Sequence, residues 1–128
     1  MGATLEVHNS PKAPAAPTYA QAIEVRGIER LLFVSGQIPV AQSGEVPDNF
    51  YDQSNLAWTN VIAQLEQAGM TLDNLVKVTV YLSDRKYIAD YRRSRDEVLG
   101  GRSVGLTTMI CDIFDQDWLL EIEAIAAA

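Results

Sequence analysis

The sequence predicts an α+β sandwich, a mostly antiparallel sheet with two helices packed on one face. Three observations lead there. Residues 49–68 and 85–99 each repeat apolar positions at helical spacing, the segment 75–82 between them alternates like a half-buried strand, and further strand-like runs flank both helices. A length of 128 residues with 48% hydrophobic content suits a single domain spanning residues 1–128.

Taken in order, Leu5 to His8 offers a possible first strand, and PKAPAAP at 11–17 is an extended or irregular loop, because proline fixes φ and lacks a donor. Tyr19 to Val25 and Leu31 to Ser35 read as strands. With the turn Arg26-Gly27 between them they are expected to form a hairpin, the second strand being apolar enough for burial on both faces. Pro39 to Pro47 is a loop. Asp48 then caps a helix from about Asn49 to Ala68, in which Ser54, Trp58, Val61, Leu65 and Ala68 recur on one stripe and Gly69 ends it. The next strand, Leu75 to Leu82, sets Val76, Val78, Val80 and Leu82 against Lys77, Thr79 and Tyr81. Ser83 or Asp84 caps a second helix from Arg85 to Leu99, closed by Gly100-Gly101. Val104 to Ile113 and Trp118 to Ala126 complete the sheet as strands joined by a polar turn at 114–117. Apolar residues on both faces of several strands, such as Leu75 and Tyr81 opposite the valine row, favour an oligomer that covers the second sheet face.

Composition narrows the chemistry. A net charge of −7 opposes sequence-independent nucleic-acid binding, and Arg92, Arg93 and Arg95 read as a solvated, salt-bridged helix surface. The lone Cys111 allows no intramolecular disulfide, and one histidine, His8, leaves no histidine or cysteine cluster for a metal. Phosphate-cradling glycine patterns are missing, so no cofactor is implied. Without an apolar run of membrane-spanning length or a leader pattern, the expected setting is cytoplasmic, with no membrane partner.

Two positions could carry chemistry. Arg102 follows two glycines at the entry to a strand, where a guanidinium can grip a carboxylate with two parallel hydrogen bonds; such arginines more often are solvated or pair with an acid. Glu121 and Glu123 share one face of an otherwise apolar strand, facing either solvent or a cleft where partial desolvation suits a carboxylate to proton transfer. Tyr19 either packs or closes over a ligand. Ser35 has no histidine partner nearby, which disfavours a Ser-His-Asp hydrolase, and Cys111 reads as a buried hydrophobe.

The blocks APTYAQA (16–22), LLFVSGQIP (31–39), LDNLVKVTVYLSD (72–84), GRS (101–103) and LLEIEAIA (119–126) resemble, in the same order, the Rid/YjgF family of reactive-intermediate deaminases. The resemblance implies a chorismate-mutase-like homotrimer with clefts between subunits, hydrolysing 2-imino and 2-enamino acids such as 2-aminoacrylate to 2-oxo acids and ammonia. It implies Arg102 as the carboxylate ligand, Glu121 as the group working with water, and Tyr19 on a segment near the site. Backbone groups of Ser35 and Gly36 would line the cleft, and the Val104 carbonyl would help place the water. Relatives often have Pro-Ala before the arginine and cysteine two after it, where Gly100-Gly101 and Val104 stand here. A non-catalytic carboxylate-binding or regulatory module, a deaminase of a larger aminomuconate-type substrate, and the ribonuclease activity attached to some family names are the alternatives.

Overall fold

A computed structural model describes residues 2–16 and 18–128. The chain forms strands β1 (Thr4–His8), β2 (Ala22–Arg26) and β3 (Leu31–Gln37), helix α1 (Phe50–Gln67), strand β4 (Leu75–Leu82), helix α2 (Ile88–Leu99), and strands β5 (Gly105–Ile110) and β6 (Leu120–Ala127). Both helices and every strand expected from the pattern are present. The proline-rich segment is irregular over 11–16, while its last residue, Pro17, lies outside the described residues.

The caps show why the helices begin and end where they do. Asn49, rather than Asp48, caps α1, accepting a hydrogen bond from the Asp52 amide. Asp84 caps a 3₁₀ turn at Arg85–Tyr87 through the Lys86 amide, and this turn leads into α2. Gly100 at φ 57° and Gly101 at φ 87° end α2 in left-handed conformations that side-chain-bearing residues rarely adopt.

Pairing differs from the two expected hairpins. The main sheet has the order β3-β6-β4-β5, and β1 and β2 form a separate antiparallel ribbon. Thus β2 pairs with β1 instead of β3, and β3 pairs with the C-terminal strand β6. Strand β5 pairs with β4 in parallel, while β6 inserts antiparallel between β3 and β4. A helix carries the chain from β3 to β4 and another from β4 to β5, and such crossovers return the chain to the same end of the sheet. The outcome is an α+β layer pair with a mixed sheet.

The core lies between that sheet and the two helices. Ala57, Trp58, Val61 and Leu65 of α1 and Tyr91 and Leu99 of α2 bury against Val78, Val80, Leu82, Leu120, Ile122, Ala124 and Ala126. A register shift between Leu75 and Lys77 turns Leu75 into the same core, so Leu75 does not oppose the valine row as the alternation suggested. Inside the helix layer, Ser54 Oγ donates to Ser94 Oγ, which donates to Asn55 Oδ1 at 2.7 Å, joining α1 to α2. Buried Gln53 holds the approach to β6 by donating to the Asp117 carbonyl and accepting from the Leu119 amide. The opposite sheet face is uncovered in the single chain: Phe33, expected to be buried, is 68% exposed.

Candidate functional site

Arg102 emerges directly from the glycine pair. Its backbone amide and its Nη1 both donate to the Leu99 carbonyl at 3.0 Å, which folds the side chain back over the end of α2. Its Nε donates to Asp73 Oδ1 at 2.7 Å. Asp73 is largely exposed and the guanidinium about two-fifths exposed, so this ion pair is of the weakly stabilising, displaceable kind. A cavity of about 420 Å³ opens beside the arginine, lined also by Thr18, Tyr19, Asp96 and Ser103. Val104 is buried, and its carbonyl accepts the Ala20 amide at 2.9 Å, leaving one lone pair for another donor. Tyr19, Arg102 and Val104 therefore form one group.

Ser35, Gly36 and Glu121 form a second group at the other end of the sheet. A Cβ added to Gly36 would lie 1.8 Å from Glu121 Oε2, so only glycine lets the carboxylate settle against β3. Burial, and secondarily the charge of Glu123, pushes the Glu121 carboxyl above the ordinary carboxylate range. Glu123 itself accepts a hydrogen bond from Tyr81 Oη, and this contact raises the tyrosine's pKa. The two glutamates are thus distinguished by their surroundings. Ser35 borders a smaller cavity of about 280 Å³ on the open sheet face, with Phe33, Lys77, Thr79 and Glu123.

Register keeps the two groups apart within one chain. Gly105 stands opposite Lys77, whereas Glu121 stands opposite Tyr81, four residues along β4. That offset is about 13 Å, with two strand spacings of about 5 Å each between β5 and β6, and Arg102 lies three residues beyond Gly105. The residues expected to act together therefore lie in two separate groups within one chain.

Two further polar clusters lie outside these two groups. Arg95, expected on a solvated surface, is 5% exposed; its Nη2 donates to Thr18 Oγ1 and it pairs with Asp96 at 3.1 Å. The signal was present in the spacing, because Tyr91, Arg95, Val98 and Leu99 share the buried stripe of α2. Arg93 behaves as expected for a surface residue, close to Asp90 and stacked on Tyr51. On the ribbon, β1–β2 pairing brings Glu6 and Glu24 to His8, with donor atoms within 4.8 Å of one another. Arg26 already sits among these carboxylates, its Nε 3.0 Å from Glu24, so they fit a guanidinium rather than a metal ion.

A two-helix layer on a mixed sheet, with an arginine at the end of α2 and a partly desolvated glutamate on β6, defines the class as a small two-layer α+β protein. The family described as Endoribonuclease L-PSP matches residues 10–128, and the chain belongs to this family, the Rid/YjgF proteins. A RutC family protein from Pyrococcus horikoshii is 38% identical over 120 residues, covering 92% of this chain and 91% of that protein. The Escherichia coli K12 protein named "Putative reactive intermediate deaminase TdcF" is 32% identical over 120 residues, covering 90% and 91%. Among solved structures, E. coli TdcF with bound serine superimposes with a TM-score of 0.72 at 30% identity, covering 96% of this chain and 98% of that one. The Rid protein YyfB from Yersinia pestis reaches a TM-score of 0.83 over 97% and 98% of the two chains; at 21% identity it attests the fold. No helix among the described residues is long and apolar enough to cross a membrane.

Proposed function

We propose that this protein hydrolyses 2-imino and 2-enamino acids to 2-oxo acids and ammonia, as a single-domain cytoplasmic enzyme whose site is completed between copies in a homotrimer. The carrying observation is that one chain offers both an arginine at the end of α2, held by a displaceable ion pair to Asp73, and a partly desolvated carboxylate, Glu121, seated on Gly36. The TdcF name and the serine found in that relative's structure support the same class of ligand. Because Arg102 and Glu121 lie at opposite ends of one sheet, the Arg102 group of one copy meets the Glu121 group of its neighbour, across the sheet face that exposes Phe33.

The chemistry asks little more. An imine carbon beside a carboxylate is electrophilic. Arg102 holds the carboxylate, releasing Asp73 as it does so, and Tyr19 closes the side of the cavity. Glu121 removes a proton from water as the oxygen attacks the imine carbon. The same carboxyl hands that proton to the imine nitrogen, giving the neutral tetrahedral amino alcohol; it then takes the hydroxyl proton as the C–N bond breaks and delivers it to the departing nitrogen, leaving the 2-oxo acid, ammonia and the free carboxylate. A raised carboxyl pKa suits both halves of this cycle, and such acid–base assistance typically contributes about 10²–10⁴-fold. The free lone pair of the Val104 carbonyl is available to orient the water. Ribonuclease activity, named in the family description, is disfavoured by the charge of −7.

The test is ammonia release from 2-aminoacrylate generated in situ. Arg102→Ala should reduce turnover by about 10²-fold or more while the assembly persists, since the clamp supplies orientation. Undiminished turnover by that variant contradicts the assignment. Tight binding of 2-oxo acids without accelerated hydrolysis would select the binding-module alternative.

A further inference from the structure

A second cavity, of about 600 Å³, lies beside the Arg102 cavity and shares Thr18, Tyr19 and Asp96 with it. Ile88, Tyr91, Arg92, Arg95 and Asp96 reach it from one stripe of α2, at spacings of i, i+3, i+4, i+7 and i+8. A small imino acid such as 2-aminoacrylate occupies only a fraction of the combined space, which falls in the range of sites for larger ligands. Two features of the second cavity are unspent. Tyr91 is 2% exposed and its hydroxyl has no hydrogen-bond partner among the described residues. Arg95 is neutralised by Asp96 and Arg102 by Asp73, whereas Arg92 is exposed and has no ion-pair partner among the described residues. A buried hydroxyl without a partner costs stability unless a ligand or water supplies one. In a chain of net charge −7, an unpaired guanidinium at the same cavity is local positive charge available to an anion.

We infer that Arg92 and Tyr91 form a subsite for a second acidic group, so that the preferred substrates are dicarboxylic 2-imino acids rather than short monocarboxylic ones. This rests on the proposed deaminase reading for the role of Arg102 as anchor of the first carboxylate. The spacing fits. From Arg92 to Leu99, whose carbonyl holds the Arg102 guanidinium, is seven residues of helix, about 10 Å along the axis. A short diacid lies between the two guanidinium groups, with Tyr19 bordering both ends of the path. Arg92 binds the distal carboxylate by charge-assisted hydrogen bonds, and Tyr91 Oη donates to the same carboxylate.

The experiment measures calorimetric affinity of the full-length protein for two stable product analogues of equal chain length, 2-oxoglutarate and 2-oxopentanoate, alongside turnover of the corresponding imines made in situ by an amino-acid oxidase. The diacid should bind about tenfold to a hundredfold more tightly than the monoacid. Arg92→Met should collapse most of that ratio, Arg92→Lys should retain part of it, and Tyr91→Phe should reduce it several-fold. Equal affinity for the two acids, or a ratio that Arg92→Met does not move, overturns the second-acid subsite whatever the turnover. A ratio that depends on Arg92 in a protein that hydrolyses neither imine sustains the subsite and rejects the deaminase reading.

Discussion

The two faces of β6 are built from alternate residues of one eight-residue strand and serve opposite ends. Leu120, Ile122, Ala124 and Ala126 are almost wholly buried beneath the helices, whereas Glu121, Glu123 and Ile125 remain partly exposed on the open face. The covered face is saturated with apolar contacts within the chain, and it fixes the position of the strand. The open face is left incomplete, and there a carboxylate can stay partly desolvated without being locked into an ion pair. One pleat separates the packed core from the open carboxylates. A one-residue slip would exchange them, which ties the register of β6 to both.

That contrast can be broken in three graded ways. The largest effect is expected from Ile122→Ala, which leaves a cavity in a fully packed site and should cost about 2–5 kcal/mol in urea unfolding. Ile125→Ala, on the other face, should cost less in unfolding and show itself mainly as weaker self-association in sedimentation. Equal unfolding penalties would mean that the faces are not distinct. Next is Gly36→Ala, whose added carbon cannot coexist with the present position of Glu121. Displacing that carboxylate by an ångström or so should lower kcat/KM for imine hydrolysis by up to about 10²-fold while leaving the melting temperature nearly unchanged.

The smallest effect concerns pH. Burial first, and the Glu123 charge second, raise the Glu121 carboxyl above its usual 4.5, so the folded chain retains a proton that the unfolded chain has released. The stability contributed by this group is therefore fully present below pH 4.5 and is lost as pH rises through the higher folded value. Glu121→Gln, which cannot ionise, should gain stability relative to the parent as pH rises from about 4 to about 7. Identical pH profiles of unfolding would remove desolvation of Glu121 from the account.

The sequence made the individual elements legible because helix and strand periodicities are local, and LVKVTVYL and LLEIEAIA announce their buried rows directly. Partnering was not legible in the same way. Arg26-Gly27 looks like a hairpin turn, yet β2 finds its partner in β1 and β3 finds its own in the C-terminal strand, pairings decided by contacts distant along the chain. The strand–helix–strand order did contain the rule for β4 and β5, since a helical crossover delivers the second strand parallel to the first. For the site, Arg102 and Glu121 were visible as residues worth weighing, and the family resemblance supplied their roles. Their separation was hidden, because it follows from β6 entering between β3 and β4 instead of pairing with β5. The burial of Arg95 and the isolation of the Tyr91 hydroxyl depend on how α2 packs, which charge counting along the helix does not reveal.

Subunit mixing tests most directly whether Arg102 of one copy works with Glu121 of another. Arg102→Ala and Glu121→Gln are each expected to be nearly inactive alone. If every site takes its arginine and glutamate from different chains, unfolding the two variants together in equal amounts and refolding them should restore about a quarter of the parental activity, the fraction of random interfaces that unite an intact arginine with an intact glutamate. Mixed assemblies that form, as verified by mass spectrometry, yet recover no activity would place both residues in one chain's site and contradict the account.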